Sequence, residues 1–128
     1  MFRNLVFLIL LFLSSSYVHA QAKMEFTERY INLDTLSIND TLAVCNAKFV
    51  NTGNAPLYLV SGESYCPCTT FEIVNKEAVS PRDTSYVTIK FVPNHFGDFK
   101  HSVLFKFFNE ETEEDSSMVT IYGYVKEE

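Results

Sequence analysis

Cys66-Pro67-Cys68 is the one group in this 128-residue chain whose residue types and spacing point to a definite chemistry. Cysteines one residue apart project to the same face of a strand, where two thiolates share a soft metal ion or close into a tight disulfide. In extended chain the Cα atoms of residues i and i+2 lie about 6.5–7 Å apart, at the upper end of what a disulfide tolerates, so closure needs a local bend. Pro67 fixes its own φ and holds Cys66 extended, which opposes that bend. The expected resting state is two thiols or a readily reduced bridge. A plainer reading competes with it: two small apolar side chains at the entrance to the core, because free cysteine is among the most buried residue types.

The remaining candidate ligands add little. His95 reads as a solvated loop residue; it or His101 joins the cysteines at a metal centre only if loops bring them near, and their six-residue separation matches no common ligand pair. Cys45 falls in an inward-facing series of Ala and Phe and is expected to pack. Residues 110–115 are acidic but lack the alternating acids and the glycine of a calcium loop, so they read as a solvated hairpin tip. The sequence contains no nucleophile elbow, paired-acid motif or phosphate-binding loop. No catalytic residue and no cofactor is therefore expected.

The elements that must position these residues read as strands. Residues 24–31 alternate weakly, with Met24, Phe26 and Tyr30 on one side, and residues 32–40 read as an irregular connection. Across residues 42–51 the odd set Ala43, Cys45, Ala47 and Phe49 is apolar and should face the core. Asn51-Thr52-Gly53-Asn54 is a turn with a glycine free to take positive φ, and Pro56 opens a strand with Leu57 and Leu59 inward and Tyr58 and Val60 outward. Residues 70–74 carry Phe71 and Ile73, and residues 85–91 follow a Pro81-Arg82-Asp83 turn with Val87, Ile89 and Phe91 inward. Residues 99–108 and 118–125 form a hairpin. Seven short strands with turn residues between them, and no helical periodicity, predict an all-β, seven-stranded antiparallel immunoglobulin-like β-sandwich.

Residues 1–20 have the three parts of a signal peptide: Arg3, an apolar run from residue 5 to 13, and Val18-His19-Ala20 as a cleavage region. The apolar run is about half the roughly 20 residues that span a bilayer, so no stable membrane insertion is expected after its removal. Residues 21–128 then make one domain. Ten basic residues stand against sixteen acidic ones, a net charge of −6, and the loss of Arg3 makes the balance more negative. That opposes binding to nucleic acid or anionic lipid. Three cysteines leave at least one without an intramolecular partner.

Several spaced motifs together resemble the exported bacterial domain of unknown function 1573, an immunoglobulin-like sandwich related to Hydin-type and major-sperm-protein-type domains. They are F-x-N-T-G-N-x-P-L from Phe49 to Leu57, Cys66, Cys68 and Thr69 as Cys-x-Cys-Thr, and a proline turn before residues 86–91. Gly97 and Phe99 follow as G-x-F, and Val119 to Val125 as V-x-I-x-G-x-V. Three positions depart from the family's pattern: Tyr65 and Pro67 stand where Ser and Gly are usual, and Arg82 stands where Gly commonly follows the turn proline. The resemblance implies a fold and an exported location, and it carries over no catalytic residue.

With Leu104 and Phe108 alternating outward on one strand, Tyr122 and Tyr124 on its hairpin neighbour and Tyr58 on the same sheet, an aromatic outer face is expected. The leading expectation is a non-catalytic interaction module, periplasmic or extracellular, that binds a protein or cell-envelope component through that face or a sheet edge. The alternative is a thiol-dependent redox or metal-handling protein using Cys66 and Cys68.

Overall fold

A computed structural model describes residues 21–108 and 114–127. The expected signal peptide and most of the acidic turn lie outside the described residues. Eight strands follow one another: β1 (Met24–Phe26), β2 (Tyr30–Ser37), β3 (Ala43–Asn51), β4 (Tyr58–Ser64), β5 (Thr69–Ile73), β6 (Thr84–Phe91), β7 (Gly97–Phe108) and β8 (Glu114–Lys126). They form two four-stranded sheets, ordered β1-β3-β6-β5 and β2-β8-β7-β4, packed face to face. The fold is an immunoglobulin-like sandwich, as the alternation predicts, with eight strands rather than seven.

The additional strand is β2, in the stretch expected to be irregular. Its inward side chains change parity, from Ile31 and Leu33 to Leu36, because a bulge between Asn32 and Thr35 inserts a residue. Asp34, at φ 58°, absorbs the kink. Period 2 is therefore hidden in the sequence although each half obeys it. β2 pairs with β8 in parallel, so the sandwich is not wholly antiparallel. The single strand expected over residues 24–31 is divided, with β1 hydrogen-bonded to β3 in one sheet and β2 to β8 in the other. The last strand starts at Glu114 rather than Met118, since the hairpin ladder continues as far as Phe108 opposite Glu114.

Between the sheets lies the core expected from the odd and even sets. Phe49, Leu57, Val87, Ile89, Phe91, Val103, Phe105, Val119, Ile121 and Val125 are fully buried, and Ala43, Cys45, Phe71 and Ile73 pack against them half-buried. Ala43 to Val50 pair in register with Phe91 to Thr84, which places the whole odd set of β3 inward.

One polar residue holds the end of the sandwich opposite the cysteines. Asn51 is fully buried; its Nδ2 donates to the carbonyls of Ala55 and Val79 at 2.8 and 2.9 Å. Its Oδ1 accepts from the N–H of Gly53 at 3.0 Å and of Lys23 at 3.2 Å. The Asn-Thr-Gly-Asn turn thereby holds residues 21–23, and Gln21 is tied further by Asn54. Gly53 packs directly on that backbone, leaving no room for a Cβ. Arg82 at φ 70° occupies the left-handed region, where a residue with a Cβ is strained and glycine is favoured.

Candidate functional site

The bend that closes the cysteine pair is built into the connection between β4 and β5. Cys66 accepts at its carbonyl from the Thr69 N–H at 3.0 Å and from the Ser64 hydroxyl at 3.0 Å, so residues 66–69 form a β-turn. Pro67 sits at the second position of that turn, where its fixed φ is favoured, and Cys66 stays free to be extended at the first. The proline thus assists the bend, contrary to the expectation from an extended chain. The Cα atoms come within 5.2 Å and Cys66 and Cys68 are joined as a disulfide. Cys45 keeps a free thiol, and burial raises its pKa.

His101 reaches this bridge from the inner face of β7. Its Nε2 lies 3.5 Å from Cys68 Sγ, and the Thr69 hydroxyl lies 3.5 Å from the same sulfur. A bridged sulfur carries no proton, so in both contacts the nitrogen or hydroxyl is the donor, and the histidine tautomer with a proton on Nε2 is selected. Phe91 and Phe99, stacked on each other at 4.4 Å, pack against the imidazole at ring-centre distances of 5.4 and 6.1 Å and fix its plane. Burial among them lowers its pKa. The ligand atoms of Cys66, Cys68 and His101 lie within 4.8 Å of one another. His95 does not join them and is exposed in the β6–β7 connection.

The bridge sits at one end of the sandwich, where β4 ends, β5 begins and β6 gives way to β7. Cys68 is 8% exposed, while Cys66 is only half-buried. In the connections at this same end four apolar side chains stand in solvent: Leu42, Tyr65 (70% exposed), Val92 and Phe96 (59% exposed). Val92 is tied to the turn by its N–H to the Cys68 carbonyl at 2.9 Å. These four come from three different connections, two of them from the β6–β7 connection, so no run or alternation in the sequence marks them.

The five residues expected on an aromatic outer face all lie on the β2-β8-β7-β4 sheet, in two groups. Tyr58 pairs with Phe108 at one end, whereas Tyr122 and Tyr124 pair with Lys100 and Asp98 toward the other. Leu104, half-buried, stands between, opposite Glu63 and Met118. Lys106, in ion pairs with Glu63 at 3.3 Å and Glu114 at 3.9 Å, and the Ser102–Thr120 hydroxyl pair at 2.8 Å separate the groups. Tyr30, absent from the expected set because β2 was, joins the second group. Its ring receives the Lys100 ammonium at 5.6 Å, and Tyr30, Lys100 and Tyr122 line a shallow concavity with Asp98, Phe99 and Gly123.

Two four-stranded sheets, with β2 and β8 paired in parallel and the initial stretch split between the sheets, define an immunoglobulin-like sandwich. Solved structures agree. The ASH / PapD-like domain 7 of human CEP192 is similar over 89% of this chain and 92% of that one, with a TM-score of 0.64 at 13% identity. The C. elegans MSP family member WR4 is similar over 84% of this chain and 100% of its own, with a TM-score of 0.54 at 11% identity. The periplasmic chaperone SfaE aligns over 81% of this chain and 58% of that one, with a TM-score of 0.56 at 7% identity. No curated protein matches the sequence. Residues 24–125 match the family model described as protein of unknown function (DUF1573), and the chain belongs to that family.

Proposed function

We propose that this chain is a non-catalytic, exported module that binds another protein of the cell envelope through the tyrosine-bearing half of its β2-β8-β7-β4 sheet. The observation that carries this reading is the exposed group of Tyr30, Tyr122 and Tyr124 beside Lys100 and Asp98. Tyrosines supply large contact area at low entropic cost, and a cation–π pair with flanking charge gives orientation. Tyr58 and Phe108, at the far end of the same face, form a second contact area. The negative balance of the chain favours a protein partner over nucleic acid. A fold shared with a periplasmic chaperone supports the reading, as does the signal-like sequence of residues 1–20. Among the described residues no helix is long and apolar enough to cross a membrane.

Alanine at Tyr122 and Tyr124 should abolish partner capture and leave the thermal melt nearly unchanged, because both side chains are in solvent. Loss of capture on replacing Cys66 and Cys68, with the tyrosine variants unaffected, would transfer the function to the bridge. Export is checked by intact mass, with a chain starting at Gln21 as the expected product.

A further inference from the structure

We infer that Cys66–Cys68 is a thiol–disulfide exchange centre that takes a cysteine-bearing polypeptide, with Cys66 as the sulfur attacked and Cys68 as the sulfur that leaves. The bridge joins residues only two apart, so it restricts almost none of the unfolded chain and is a poor structural staple. Its surroundings are asymmetric. Cys66 is the more exposed residue and its sulfur takes one donor, the Cys68 backbone N–H at 3.2 Å, while Cys68 is buried with two, the His101 Nε2–H and the Thr69 hydroxyl, aimed at its sulfur. The sulfur with more donors better stabilises the thiolate that forms there, and a better leaving thiolate leaves faster. Phe91 and Phe99 hold the imidazole in place, so no reorganisation is needed when the charge appears.

In the first step a substrate thiolate attacks Cys66 Sγ. A substrate–Cys66 disulfide forms, the Cys66–Cys68 bond breaks, and its electron pair leaves on Cys68 Sγ, where it accepts from Nε2–H and the hydroxyl. A second thiolate of the substrate then attacks its own sulfur in the mixed disulfide and releases Cys66 as thiolate. The substrate dithiol loses two electrons and becomes a disulfide, and the protein bridge gains them as two thiols, each taking a proton from water. The rim of Leu42, Tyr65, Val92 and Phe96 selects the substrate. An apolar-flanked peptide gains buried surface there that a small charged thiol does not. This inference is independent of the tyrosine surface.

The test uses the full chain, expressed for export and purified oxidised, with Cys45→Ser as background to remove the third thiol. The probes are a synthetic peptide with one cysteine between apolar residues, the same peptide with two cysteines, and glutathione. Acid quenching, alkylation and peptide mapping locate the mixed disulfide with Cys66 and Cys68 both in place, so neither has to be replaced. Expected results are a mixed disulfide at Cys66 rather than Cys68 and one peptide disulfide formed per protein bridge opened. Opening should be about tenfold slower in His101→Phe, as expected when a leaving thiolate loses a donor. The peptide should react faster than glutathione in wild type, and Tyr65→Ser should narrow that preference; Tyr122→Ala should change nothing. Three results would each overturn the inference: adducts divided equally between the two cysteines, a bridge opened no faster than that of a free Cys-Pro-Cys peptide, or uptake of one equivalent of Cu(I) or Zn²⁺ by the reduced protein with no peptide exchange.

Discussion

His101 packs against the stacked rings of Phe91 and Phe99, and burial there lowers its pKa below the ordinary 6.5. The unfolded chain therefore binds the proton first as pH falls, so the histidine's contribution to stability is complete above about 6.5 and is lost as pH drops toward the folded value. Thermal melts at pH 7.5 and 5.5 should show a loss on acidification that is smaller in His101→Phe. An equal loss in both would mean the ring is not desolvated. The bridge beside it closes a loop so short that its chain-entropy contribution is only about 1–2 kcal/mol. Serine at both Cys66 and Cys68 should therefore lower stability by no more than that and preserve the fold; a variant that fails to fold would restore a structural role. Arg82 at φ 70° carries the strain of a left-handed residue with a Cβ. Arg82→Gly should stabilise by about 1 kcal/mol in denaturant melts, and a loss of stability would show that its side chain does more than tolerate the turn.

At the scale of elements, the register of β3 against β6 decides which side chains are buried. Phe49 is fully buried and Lys48 exposed. Phe49→Ala should cost about 3–5 kcal/mol, and Lys48→Ala close to nothing. Equal costs would mean a register wrong by one residue. Most of this was legible in the residues: the inward sets of β3, β6, β7 and β8 follow from period 2, and the hairpin follows from its acidic turn. β2 was not legible, because its bulge at Asn32/Thr35 breaks the alternation and its partner, β8, lies about 90 positions away in sequence. The same omission hid Tyr30. The cysteine turn is hidden for a different reason: in an extended chain Pro67 opposes the bend, and only the hydrogen bonds from Thr69 and Ser64 to the Cys66 carbonyl reveal the turn in which a proline is welcome. His101 could be named as a possible neighbour of the cysteines, but its approach depends on how the two sheets stack, which strand patterns do not encode.

For the whole molecule, the two groups of interest meet at one corner. Tyr124 pairs with Asp98, one residue from the start of β7, so the tyrosine half of the outer face adjoins the end that carries Tyr65, Phe96 and the bridge. The opposite end, around Asn51, is occupied with holding the chain together; the exposed tyrosines toward it are Tyr58, beside Phe108, and Tyr86 on the other sheet. A partner lying across Tyr30, Tyr122 and Tyr124 can thus extend to the cysteine end without crossing the charged Lys106 cluster. The most direct test of partner binding through this face is site-specific photocrosslinking in native envelopes. A photoreactive residue is placed at Tyr122, at Tyr124, or at Tyr86, an equally exposed tyrosine on the other sheet. Discrete adducts of one mass from positions 122 and 124, and none from 86, are expected. Adducts of the same yield and pattern from all three, or from position 86 alone, would contradict it.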